Sequence, residues 1–202
     1  ITTFDYDGKG RLVKVTYPNS ETQQTQYNLM GYPTRETDTF GNKRVISRNY
    51  LNEIVYETTF EGDITETTYT GNGLPLTKTD GNSNTRRFEY DNLNQLTKQV
   101  DSYGNYVLTT YDSFGNKVRE DKYNASNVLL VQGSTSYYDL NHRLIRIENI
   151  DGSYEKYQYN IEGELERKVR STTNSEELVT LYRYDRFVNK VIQEHLPDGN
   201  IV

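Results

Sequence analysis

Acid–base catalysis near neutral pH calls for a histidine or a perturbed carboxylate, and this sequence offers only two histidines, His142 and His195. Neither stands in a pattern that builds a site. His142 falls where a turn residue belongs, and His195 sits beside Glu194 late in a strand. No Ser/His/Asp arrangement, glycine-rich phosphate loop or metal-ligand spacing is present. Asp5–Gly10, DYDGKG, opens like a calcium loop but lacks the alternating third ligand and the distal Glu. The absence of cysteine excludes disulfides and thiolate metal sites. The 29 acidic residues could supply a glycosidase pair, yet most recur at fixed slots, as scaffold residues do. The sequence predicts no catalytic residue, no metal and no cofactor.

The clearest chemical pattern is basic. Lys14, Arg35, Lys98, Arg119, Arg146 and Arg167 each stand eight residues after a recurring landmark. On a regular sheet they would form a row. Glu36, Glu57 and Glu120 follow one residue later and so face the other way, where direct cross-strand pairing would not neutralise the row. Such a row serves as a solvated face that keeps sheets from aggregating. Alternatively it lines a surface that contacts an enclosed polypeptide or an acidic glycan. A net charge of −6 excludes the basic footprint of a nucleic-acid binder.

The landmarks are Tyr6, Tyr27, Tyr69, Tyr90, Tyr111, Tyr138, Tyr159 and Tyr184, with Arg48 in the one slot that lacks tyrosine. Their steps are 21 residues except for 27 after Tyr111 and 25 after Tyr159. A fixed period of this size marks a repeat architecture. Asp, Asn or Thr follows each landmark, and Gly10, Gly31, Gly73, Gly115 and Gly163 stand four residues after theirs. Asx, two free residues and then Gly is a type I turn leading into a left-handed residue, a common way to close a β-hairpin. His142 and Val188, in the glycine slot of their units, should be the less comfortable tips.

Between tips the residues alternate with period two, as in RRFEYD (Arg86–Asp91) and NYVLTTYD (Asn105–Asp112). Asp38–Asn42, Asp80–Asn82, Asp101–Asn105, Asp151–Ser153 and Asp198–Asn200 supply a second turn signal. With 33% apolar residues the chain cannot fill a thick core, so the fold class is all-β. The expectation is tandem β-hairpin repeats of about 21 residues in one curved, spiralling antiparallel sheet. Residues 1–202 form a single array of nine units, with loop insertions near 123–136 and 171–180. The chain opens on Ile1 inside the pattern and reads as a fragment of a longer protein, without a transmembrane run. In a regular array the landmark tyrosines would stand side by side as a ladder.

YDGKGRL (Tyr6–Leu12), YDNLNQL (Tyr90–Leu96), YDSFGNKV (Tyr111–Val118) and YDLNHRL (Tyr138–Leu144) resemble YD repeats, also called RHS (rearrangement hot spot) repeats. The resemblance covers essentially the whole chain. It implies a large secreted or cell-surface protein related to bacterial toxin shells, wall-associated proteins and teneurins, whose repeats form a spiral β-sheet cocoon. The implied partners are other segments of the same shell and an enclosed C-terminal polypeptide, with no membrane insertion. Without an Asp-Pro pair, the self-cleavage of some members is not expected. The resulting expectation is a non-enzymatic wall segment. The second reading is a carbohydrate-binding adhesive module that uses exposed Tyr and Arg/Lys.

Overall fold

The computed structural model describes residues 1–171, 176–184 and 191–195. Two compact units contain residues 1–90 with 99–103, and residues 91–98 with 104–202. In the first unit the strands are β1 (Thr3–Tyr6), β2 (Leu12–Thr16), β3 (Thr22–Tyr27), β4 (Pro33–Thr37), β5 (Lys43–Arg48), β6 (Ile54–Thr58), β7 (Ile64–Tyr69), β8 (Pro75–Asp80) and β9 (Thr85–Tyr90). Each pairs antiparallel with the next. β10 (Leu96–Val100) has residues in both units. The second unit holds β11 (Tyr106–Tyr111), β12 (Lys117–Tyr123), β13 (Leu129–Val131), β14 (Thr135–Tyr138), β15 (Leu144–Glu148), β16 (Tyr154–Tyr159), β17 (Leu165–Ser171), β18 (Glu177–Tyr184) and β19 (Val191–His195). Here the ladders are β11–β12–β13 and β14 through β19, again in sequence order and antiparallel. One continuous sheet was expected, and the interruption between β13 and β14 corrects that.

Among the described residues the chain folds this way because its tips are closed by one recurring local bond pattern. Fourteen tips share one pair of backbone bonds. The N–H of the first turn residue donates to the carbonyl four residues on, and the fourth residue's N–H donates back to the first residue's carbonyl, all at 2.7–3.2 Å. At many tips the Oδ1 of an Asp or Asn in the first position accepts two further N–H groups, as Asp7 does from Lys9 and Arg11 at 2.9 and 3.0 Å. Asn28, Asp91, Asp112 and Asp139 repeat this arrangement. The fourth residue is left-handed: Gly10, Gly31, Asn52, Gly73, Asn94, Gly115, His142 and Gly163 have φ between 61° and 94°. Only glycine, asparagine and a few polar residues tolerate that region at low cost. The hairpin register slips by one residue beside most landmarks, for example between Asp5 and Tyr6 and between Gln158 and Tyr159. That slip is the bulge such a turn brings with it.

The second turn of each unit is built the same way. Ser20, Gly41, Gly62, Ser83, Gly104, Asn127 and Gly152 have φ of 62° to 93°. Three of these tips, headed by Tyr17, Thr59 and Asn124, were not among the expected turn signals. The tip assigned to Asp151–Ser153 is headed by Asn149 instead. Of the segments expected to bulge as loops, 123–136 contains β13 and the start of β14, and 171–180 is occupied at its two ends by β17 and β18. The turn slot of Val188 and the signal at Asp198–Asn200 lie outside the described residues.

Few side chains are buried in either unit. Ile46 and Val169, at 4% and 2% exposure, are the only apolar residues among those described that are buried. Stability therefore rests on ladders, cross-strand pairs and contacts between neighbouring hairpins, without a packed interior.

Candidate functional site

The landmark tyrosines close each strand that leads into a tip, and their hydroxyls have a repeated target. Tyr27, Tyr69, Tyr111, Tyr138, Tyr159 and Tyr184 donate to the carbonyls of Leu12, Ile54, Leu96, Lys117, Leu144 and Leu165 at 2.8–3.0 Å. Each acceptor lies six residues past the preceding landmark. The reason is visible in the registers. The β2–β3 ladder stops at Lys14 opposite Gln24, and the β15–β16 ladder stops at Arg146 opposite Lys156. Beyond the last rung the tyrosine hydroxyl spans to the next strand's carbonyl and fastens one hairpin to its predecessor. Both irregular steps keep this bond, so the extra residues are accommodated elsewhere. Tyr6 lies in the first strand and is 61% exposed, while burial pushes the Tyr90 phenol's pKa up. Arg48 replaces the tyrosine with a guanidinium that donates to the Asn52 carbonyl at 3.0 Å and lies 5.4 Å over the Tyr32 ring.

Side chains from one tip reinforce the next. Arg11 pairs with Asp7 of its own tip at 2.6 Å, donates to the Asn28 carbonyl of the following tip at 3.0 Å, and lies 4.7 Å over the Tyr27 ring. Arg143 repeats this with Asp139 at 2.7 Å and the Tyr159 ring at 4.8 Å. The bonds from Arg11 hold the Asp7 carboxyl down at about 2. His142 turns its Nδ1 to within 2.7 Å of Asn116 Oδ1 and meets Phe114 edge-on. That is a tip-to-tip contact.

The basic residues differ in their partners. Arg119 and Arg146 bond carboxylates two positions along their own strands, Asp121 at 3.0 Å and Glu148 at 3.1 Å. Residues two apart share a face, so these acids offset the row's charge at those two positions. Lys98 lies 4.8 Å over Tyr106, and Arg167 donates to Gln158 at 3.3 Å. Lys14 and Arg35 stand in ladder positions opposite Gln24 and Gln26. Of the acids assigned to the other face, Glu36 and Glu57 are both bonded by Arg44, which raises the Arg44 pKa. Glu120 pairs with Lys117 at 3.1 Å.

Two clusters escaped the sequence reading. Glu155 accepts from the Tyr157 hydroxyl and pairs with Lys168 at 3.1 Å and Arg170 at 2.9 Å. The tyrosine bond first, then the two cations, lowers its pKa to about 2, while burial and the carboxylate push the Tyr157 phenol up. The folded pKa lies below the ordinary 4.5. The cluster's contribution is therefore full above about 4.5 and is lost as pH falls from there through about 2. We expect Glu155→Gln to cost about 1–2 kcal/mol at pH 7, allowing for solvent screening. The loss of melting temperature between pH 5 and pH 2.5 should be smaller in the variant; an unchanged acid slope would contradict the assignment.

The other cluster lies at the interruption. Asp121, 5% exposed, accepts from the Gly133 N–H at 3.0 Å and from Arg119 Nε at 3.0 Å. Its contact with Gly133 joins residues twelve apart across the extra residues. An Arg-x-Asp pattern was readable in the sequence, but its glycine partner was not.

Among the described residues no group of three or more His, Asp or Glu side chains is placed to hold a metal ion. The arrangement is mechanical: it locks hairpin to hairpin.

The family model described as RHS Repeat matches residues 6–43 and 69–106, and both matches begin on a landmark tyrosine. The fold is similar to the crystal structure of TcdB2-TccC3-TEV, with a TM-score of 0.75 and 18% identity over 96% of this chain and 11% of that chain. TcdB2-TccC3 without its hypervariable C-terminal region gives 0.73 and 16% over 96% and 11%. TcdB2-TccC3 itself gives 0.55 and 15% over 96% and 14%. This chain thus spans between 11% and 14% of the length of those chains. No curated protein matches it.

Proposed function

We propose that this chain, an array of RHS repeats, is a non-enzymatic segment of a β-shell that encloses and shields a polypeptide in a secreted or cell-surface protein. The observation that carries this reading is the repeated tyrosine bond. Six hydroxyls fasten successive hairpins at the same relative position and hold through both irregular steps. Hairpins so fastened, with few buried side chains, form a wall. The likeness of fold to TcdB2-TccC3 supports the same reading. Other segments of the shell are its lateral partners, and a polypeptide C-terminal to the array is the enclosed one.

The adhesive alternative asks the landmark tyrosines to stack on sugars. It has less support, because Arg11 and Arg143 already lie over the rings of Tyr27 and Tyr159. Trypsin digestion of the complete shell, followed by mass spectrometry, tests the proposal. The enclosed segment should be cut slowly in the native shell and at free-peptide rates once the wall is denatured. Equal rates in the two states would overturn it. Glycan binding that is lost on Tyr27→Ala would instead favour the adhesive module.

A further inference from the structure

We propose that the outer edge of β13 is a self-association site, pairing antiparallel with the same edge of a second copy of this chain. β13 hydrogen-bonds to β12 on one side, and no other strand among those described lies against it. Its backbone groups on the free side form an unpaired edge, which invites another strand. The side chains there are apolar and open to solvent: Val128 54%, Leu129 44%, Leu130 58% and Val131 51% exposed.

Short strands and bulges guard such an edge, and β13 has three residues and a register slip against β12, but the remaining guard is charge. Here it is missing. From Tyr123 to Tyr138 the sequence carries no charged residue, in a chain where 26% of residues are charged. Elsewhere the net charge of −6 keeps copies apart, so this uncharged edge is where two copies meet at least electrostatic cost.

The occupant follows from symmetry. Two antiparallel strands in one sheet related by a two-fold axis must have that axis perpendicular to the sheet, so paired residues keep the same face. The register that uses the whole of β13 passes the axis through Leu130. Leu130 then meets Leu130 of the second copy, and Leu129 meets Val131. Every cross-strand pair is apolar, and none repels. The same operation on β1 passes between Phe4 and Asp5 and sets each Asp5 carboxylate against the other copy's Phe4 ring, a mismatched pair. The β13 edge is thus self-complementary where the β1 edge is not. A strand this short supplies far fewer than the roughly 20–30 residues a side of a stable interface. The association should therefore be reversible, with a dissociation constant of roughly 10–1000 µM.

Sedimentation equilibrium of this chain from about 10 µM to 1 mM tests the inference across that range. The mean mass should rise towards twice the monomer and stop there. Leu130→Lys and Leu130→Glu each place like charges across the axis and should weaken association at least about tenfold. An equimolar mixture of the two variants should restore it, because residue 130 faces itself. Circular dichroism checks that each variant is folded. Should one lose its spectrum, Leu130→Thr, which favours strands, takes its place with a loss of association expected. A parent chain that stays monomeric, growth beyond the dimer, a Leu130→Lys variant that associates like the parent, or a mixture that does not associate would each overturn the proposal.

Discussion

Gly133→Ala should destabilise the second unit by about 3–4 kcal/mol, well above the typical cost of a single substitution. A Cβ built on Gly133 lies 2.1 Å from the Glu120 carbonyl oxygen, 3.1 Å from its carbonyl carbon and 3.2 Å from its nitrogen. All three are backbone atoms of β12, so no side chain can rotate away. Relief requires residues 132–134 to lift from β12, and that breaks the bond from the Gly133 N–H to Asp121. Gly152 is the fitting comparison. Its added Cβ meets nothing within 4 Å, and only its φ of 82° opposes alanine, at a cost of about 1 kcal/mol. Urea denaturation of the two variants should separate them by about 2 kcal/mol or more. Equal midpoints would mean that the interruption adapts freely.

Asp121→Ala should cost about 2–4 kcal/mol, through the partners it strands. The Gly133 N–H would lose its acceptor, and Arg119 would lose the carboxylate that neutralises it. Asp121→Asn keeps an acceptor and the volume, so its cost should be nearer 1–2 kcal/mol. Because Gly133→Ala already displaces this contact, the double variant should fall short of the sum of the single losses. Full additivity in urea denaturation would show that Asp121 and Gly133 are not coupled. A melting temperature unmoved in Asp121→Ala would show that the buried carboxylate contributes nothing to the interruption.

The sequence showed most clearly what is encoded within five consecutive residues. Tyr-Asp-x-x-Gly specifies both the head of the tip and its left-handed residue, and the same geometry appears at His142 with φ 61°. The second tips were legible only where they carried an Asx head. At Tyr17 the head is aromatic, and Asn19 supplies a single bond, to the Glu21 N–H at 3.2 Å. At Thr59 a hydroxyl takes over, accepting from the Asp63 N–H at 3.2 Å. Both turns rest on the backbone pattern and the φ of the fourth residue, which composition displays weakly.

The charge of the basic row was overestimated at Arg119 and Arg146 for a different reason. Their recurrence located the strand position correctly but ignored what stood two residues away. Arg119 with Asp121, and Arg146 with Glu148, share a face and pair along the strand. The tyrosine bond could not be read from types alone, since it depends on where the ladder between two hairpins ends. The interruption at Gly133 depends on a backbone approach between residues that nothing in their local sequence brings together.

The landmark hydroxyls fasten successive hairpins. Tyr→Phe substitutions at Tyr27, Tyr69, Tyr111, Tyr138 and Tyr159 keep each ring and remove only the bond, and Tyr50 and Tyr103, 89% and 82% exposed at tips, serve as controls. Equilibrium denaturation of this series is the most direct measurement. Each landmark variant should lose about 0.5–1.5 kcal/mol while the controls lose almost nothing. Landmark and control variants with indistinguishable stabilities would contradict the claim.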